Sequence, residues 1–163
     1  MQIAFQSSLR GLLKGPAEFE RAQTMALYYG ALFAQREMVK RVPVNTGMLR
    51  ASIQVGSPVN SPIENAKIVK IGPTGGPSLY AYFVENGRKP GKMPPLEPIG
   101  YWVTRKLRIA PGTTEWMQAV QAIRWKIAMK GTKGAEFVKK TVEIDGKRIQ
   151  EMMTMAFNRA AGL

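Results

Sequence analysis

The sequence predicts an α+β fold in which a long N-terminal helix packs on a small antiparallel β-sheet and further helices follow toward the C-terminus. Three observations predict it. Apolar residues recur at three- and four-residue steps after Pro16, the period falls toward two between Ser52 and Val84, and helical spacing returns after Pro98.

Gly15-Pro16 opens the first helix, since proline suits a first helical turn and Glu18 and Glu20 sit favourably near the positive end of the dipole. Phe19, Ala22, Ala26, Tyr29 and Phe33 form the apolar stripe, continued by Leu32, Met38 and Val39. Lys40 and Arg41 suit the C-terminal turn and Pro43 stops it. About 25 residues at ~1.5 Å each make a rod of roughly 38 Å, long enough for so small a chain to suggest sharing with a neighbour.

Pro43-Val44-Asn45-Thr46-Gly47 is turn chemistry, in which Asn45 or Thr46 can cap a short helical turn through Met48, Leu49 and Arg50. Ser52 to Val55 then alternates as a half-buried strand does, and Ala66 to Ile71 does so with a slip, the two joined by the turn-rich GSPVNSPIEN. Leu79 to Val84, aromatic-rich and closed by Asn86-Gly87, reads as a third strand.

Residues 88–96 form a proline-rich basic loop, extended and semi-rigid. Pro98 permits a helix start, with Ile99, Trp102 and Val103 on one side. Thr114 to Lys130 reads as another helix, faced by Trp116, Val120, Ile123 and Ile127 and ended by Gly131. Residues 134–161 are helical with an interruption near Asp145-Gly146, their final stripe being Ile149, Met152, Met153, Ala156 and Phe157. The whole reads as a single domain over residues 1–163, with 1–15 as an N-terminal arm.

Composition narrows the chemistry. The chain has neither Cys nor His, which removes thiolate and Ser-His-Asp nucleophiles, disulfides and nearly every zinc site. Ten Glu and one Asp lie scattered, without a paired-carboxylate motif for magnesium. No catalytic, cofactor-binding or metal-binding residues are assigned, and no cofactor. The N-terminus lacks the apolar core and cleavage site of a signal peptide, and no stretch approaches 18 apolar residues, so the expected compartment is the cytoplasm.

The formal charge is +13, and it is uneven: residues 1–87 carry 9 basic and 5 acidic residues, 88–163 carry 15 and 6. Between 88 and 108 six bases, Arg88, Lys89, Lys92, Arg105, Lys106 and Arg108, face only Glu97 in opposition. These six are the candidate contacts to DNA phosphates or to an acidic protein partner, against the plainer reading of a solvated surface.

Four segments in order carry a family resemblance. Val42-Pro43-Val44-Asn45-Thr46-Gly47-Met48-Leu49-Arg50-Ala51-Ser52-Ile53 resembles a "PVDTGxLRxSI" signature, with Asn45 in place of the usual aspartate. Tyr80-Ala81-Tyr82-Phe83-Val84-Glu85-Asn86-Gly87 is similar to a "YAxYVExG" strand. Arg88 to Pro95 with the helix carrying Trp102 and Lys106 resembles a proline-rich insertion before a tryptophan-bearing helix. Residues 122–134 look like an "IxxKIxxxGTKP" stretch, with Gly134 and Phe137 near the usual Pro-Phe pair. Over roughly residues 17–140 the chain resembles the phage morphogenesis proteins of the neck and tail-completion group.

That resemblance implies a structural virion protein of a tailed bacteriophage, not an enzyme. It implies a homo-oligomeric ring, commonly a hexamer, at the head–tail junction, assembled in the host cytoplasm. The implied partners are the neighbouring connector or adaptor and the tail tube or terminator proteins, with weak, non-specific contact to passing DNA and no membrane. The implied family-motif residues, structural or at interfaces, are Asn45, Thr46, Gly47, Leu49, Arg50, Tyr80, Tyr82, Glu85 and Gly87.

Read for chemistry alone, most of these residues have a plain structural role. Thr46 caps a corner, Leu49 and Ile53 are core, and Glu85 has no His, Asp or metal partner with which to catalyse. Arg50 stands out, because a planar guanidinium can bridge Glu85 or a neighbour's carboxylate. Tyr80 and Tyr82 share one strand face and Ala81 and Phe83 the other, a sheet-packing pattern rather than a base-stacking platform. The rival readings are a small basic DNA-binding protein, which should select a sequence, and a His-less toxin-like nuclease, which should cleave RNA or DNA.

Overall fold

The computed structural model describes residues 1–5, 15–61 and 66–162. The chain is α+β and forms two compact units, one of residues 1–81 with 136–163 and one of residues 82–135.

In the first unit, β4 (Lys67–Pro73) is the central strand, paired antiparallel with β1 (Gln2–Phe5), β2 (Ile53–Val55) and β3 (Val59–Asn60). Gln2 lies opposite Lys70 and Val55 opposite Ile71. Val69 and Ile71 are buried while Lys70 between them is exposed, the alternation expected of a sheet covered on one face. Residues 2–5 of the expected N-terminal arm thus form a strand; the rest of that arm, 6–14, lies outside the described residues.

The helix α1 (Pro16–Arg41) has the bounds that its proline start and basic end predict. It lies between the sheet and α6 (Phe137–Ala161), so it buries more than one stripe: Ala22, Ala26, Leu27, Ala31, Ala34 and Met38 are wholly buried. Alanines and Gly30 let both neighbours approach closely. A Cβ on Gly30 would collide with the Met153 side chain. Toward the sheet, Gln35 Nε2 donates to Ile53 O (2.7 Å) and Lys67 Nζ to Thr24 Oγ1 (3.0 Å). Tyr29, placed in the apolar stripe by spacing, is instead 48% exposed, because the stripe facing α6 runs through Gly30 and Phe33.

The expected interruption of α6 does not occur. Phe137, Thr141, Ile149, Met153 and Phe157 are buried at four-residue steps, an i±4 ridge laid against α1. Asp145 is the polar rung of that ladder, and its carboxylate meets Arg41 Nη1 at 2.6 Å. Phe19 meets Phe157 edge-on, ring centroids 6.0 Å apart. Each fully buried Leu27, Phe137 or Phe157 contributes about 1.5–3 kcal/mol, enough to offset the ~1 kcal/mol that Gly146 costs in a helix interior.

Leu79 to Val84, expected as a third strand, is helical instead. α3 (Ser78–Asn86) is a helix started by backbone N–H groups of Ser78, Leu79 and Ala81 donating to Gly75, Gly76 and Pro77. Both edges of β4 are already taken by β1 on one side and β2 and β3 on the other. Aromatic β-propensity yields to that context. Ala81 is the buried residue of α3, and Tyr82 and Phe83 are exposed rather than sheet-packed.

In the second unit, α4 (Leu96–Leu107) packs on α5 (Thr114–Lys130). Trp116 lies on Gly100, where a Cβ would strike its ring, and its Nε1 donates to Gly100 O (3.3 Å) and Thr104 Oγ1 (3.0 Å). Val103 and Val120 are the wholly buried centre, and Trp102 is turned partly outward. Thr113 caps α5, accepting from Trp116 N at 3.2 Å.

Candidate functional site

The first motif builds a corner. Val42 and Leu49 are buried and Thr46 Oγ1 accepts from Met48 N at 3.4 Å, but the N-cap of α2 (Met48–Ser52) is Gly47 and no side chain caps it, so neither Asn45 nor Thr46 is the cap that the sequence predicts. Gly47 has φ +86° with open space around it; backbone conformation, not crowding, calls for glycine there. Thr74 N donates to Ser52 O (2.9 Å), tying the corner to the end of β4. Asn45 Oδ1 is buried without a hydrogen-bond partner among the described residues. Arg50 is exposed on α2 and enters no ion pair among the described residues.

The second motif ends in a backbone crossing. β5 (Gly87–Arg88) pairs antiparallel with β6 (Thr132–Lys133), Gly87 opposite Lys133. Gly87 has φ +77°, and a Cβ there would strike Thr132 O. Ala135 N donates to Val84 O (2.8 Å), so the chain enters and leaves this unit at one point. Tyr80 is exposed, and Tyr82 and Phe83 stand edge to face at 5.8 Å. Glu85 is half-buried, its backbone closely approached by Gly134. Both motifs are therefore chain-turning geometry before they are anything else.

A family model, HK97-gp10-like, described as a tail component of bacteriophage, matches residues 5–87, half of the chain, and takes in both motifs. The chain belongs to this family. No curated protein and no solved structure matches it. This HK97-gp10-like protein is a structural component associated with the phage tail. The third and fourth resembling segments lie beyond the matched stretch.

The six candidate cations of the HK97-gp10-like chain all fall in the second unit, whose 54 residues hold ten bases and three acids, a net +7 of the chain's +13. Arg88 is half-buried and folds back: its N donates to Thr132 Oγ1 (3.1 Å) and its guanidinium to Lys92 O. Arg88 therefore shapes the loop more than it faces outward. Lys89 and Lys92 are exposed on that loop. Arg105 Nη1 donates to the Tyr101 hydroxyl (3.0 Å) with its guanidinium over that ring, and Lys106 beside it is exposed. Arg108 is the left-handed C-cap of α4, where positive charge also suits the helix end. None of the six enters an ion pair among the described residues.

Arg124, which spacing alone did not single out, holds the loop in place. Its Nε donates to Pro94 O (2.8 Å), and Gly91 N donates to Ala128 O (2.8 Å), so α5 pins the loop twice. Arg124 reads from sequence like any other base of α5. Among the described residues no group of three or more Asp, Glu, His or Cys converges to hold a metal ion, and no helix is long and apolar enough to cross a membrane.

Proposed function

We propose that this protein forms a homo-oligomeric ring, of six copies, at the head–tail junction, joining the head connector to the tail and surrounding the DNA channel without catalysing a reaction. The observation that carries the reading is the concentration of charge: net +7 on the 54 residues of the second unit, with Lys89, Lys92, Lys106 and Arg108 exposed and without ion pairs among the described residues. Membership of a phage tail family supports a docking role over an enzymatic one. Dispersed lysines and arginines on a loop and a helix end suit weak phosphate contacts along a passage, whereas tight binding would hinder transit. The family-motif residues Asn45, Thr46, Gly47, Leu49, Tyr80, Tyr82, Glu85 and Gly87 shape the subunit, and Arg50 reaches a neighbouring protein.

Multi-angle light scattering across protein and salt concentration tests the ring. A discrete mass near six chains supports it. A monomer that binds one DNA sequence in preference to others favours the rival reading of a small DNA-binding protein.

A further inference from the structure

The first unit carries an apolar groove that none of the described residues fills. It runs between α1 and α6, has a volume of about 690 Å³, and is walled by Met25, Tyr29, Met152 and Met155 with Arg21 and Arg159 at its rim. That volume is in the range of specific binding pockets, roughly 300–1,000 Å³. Thioether walls adapt their shape to what they receive. Neither rim arginine enters an ion pair among the described residues.

The same chain carries an uncovered apolar knob. On α3, Leu79, Tyr82 and Phe83 stand at i, i+3 and i+4 and are 81%, 66% and 55% exposed. α3 is also the odd helix in charge: it is the only one among the described residues without Lys or Arg, and it carries Glu85. Its C-terminal carbonyls add partial negative charge at that end.

We infer that α3 of one copy seats Leu79, Tyr82 and Phe83 in the α1–α6 groove of the next, an inference that rests on the ring reading above. In a chain of +13, contact between copies is opposed by self-repulsion. The arrangement that reduces it sets α3, without bases, against the two arginines at the groove's rim, neither of which is ion-paired among the described residues. One contact then covers both uncovered apolar surfaces. Because knob and groove are different surfaces, the contact is heterologous, the kind that repeats head to tail around a closed ring.

The chain has no Cys, so Phe83→Cys and Met155→Cys each introduce a sole thiol. Mixed in equal amounts and oxidised, the two variants should give a covalent dimer that neither gives alone. Phe83→Cys mixed with Ile144→Cys, on an exposed part of α6, should give none. L79D/Y82D should lower the oligomer's mass toward that of one chain with its helical circular dichroism kept, and R21E/R159E should weaken association at least tenfold. Dimers of Phe83→Cys with itself would overturn the inference by showing a symmetric contact. If the wild type scatters as a ring while the mixed pair stays unlinked and L79D/Y82D keeps the ring's mass, the ring stands and this contact is wrong. A wild type that is monomeric at every concentration, with no cross-link, overturns both.

Discussion

Arg41 Nη1 lies 2.6 Å from Asp145 Oδ2, closing the last turn of α1 onto the middle of α6. Both side chains are largely withdrawn from water, at 21% and 13% exposure, so screening is weaker than for a surface pair. Replacing Asp145 by Ala leaves Arg41, among the described residues, with the backbone oxygen of Glu37 at 3.1 Å and the Glu37 carboxylate at 4.0 Å. D145A should lower stability by about 1.5–3 kcal/mol, read as a fall in the urea midpoint with an unchanged slope.

Glu37 gives a pH dependence of known sign. The hydrogen bond from Lys40 (2.7 Å), with help from Arg36, holds its carboxyl below the ordinary value of 4.5. A depressed folded-state pKa contributes stability that is complete above the unfolded value and is lost as pH falls through the folded one. Thermal unfolding of E37Q should therefore show a shallower loss of Tm below pH 4.5 than the wild type does. The difference should be small and shrink with salt, since Lys40 and Arg36 are well exposed.

G87A combines a left-handed backbone with a collision at Thr132 O. The conformation alone costs about 1–2 kcal/mol, and separating β5 from β6 adds to it. Hydrogen exchange should speed up in the amides of residues 84–135 that depend on this crossing, while those of α1 and α6 stay protected.

G30L forces a side chain into the space held by Met153. Overpacking of this kind costs about 1–3 kcal/mol. It should lower Tm and raise dye binding by exposing the apolar faces of α1 and α6. G30A should be milder, because the end of Met153 can move.

The exposed bases should act through phosphate charge alone. Each phosphate contact removed from K89A, K92A or K106A should reduce the salt slope of log K for duplex DNA by about 0.9, equally for unrelated sequences. R88A should instead disturb the loop, because its guanidinium is spent on Lys92 O.

Where punctuation and burial agreed, the sequence was easy to read. Pro16 and Pro43 bracket α1, and Gly131 ends α5, because helix punctuation is local; the Thr113 cap of α5 emerged only in the structure. The segment after Leu79 misled because aromatic residues favour strands on average, while the decisive fact, that β4 has no free edge, is non-local. Asp145-Gly146 looked like a break because its compensation, Arg41, lies a hundred residues away. The six bases could be identified in sequence as a cluster, but not that Arg88 turns inward or that Arg124 pins the loop. The α1–α6 groove left no local signal, since it arises where two helices distant in sequence meet.

The hydrogen bond from Ala135 N to Val84 O has a corollary. A detour whose way out and way back meet at one backbone pair behaves as a cassette. Its length and cargo of charge can change with little entropic penalty for closing the loop, which grows only slowly with the number of residues enclosed. Insertions, deletions or charge changes within the detour should thus leave the three-layer frame of sheet, α1 and α6 intact.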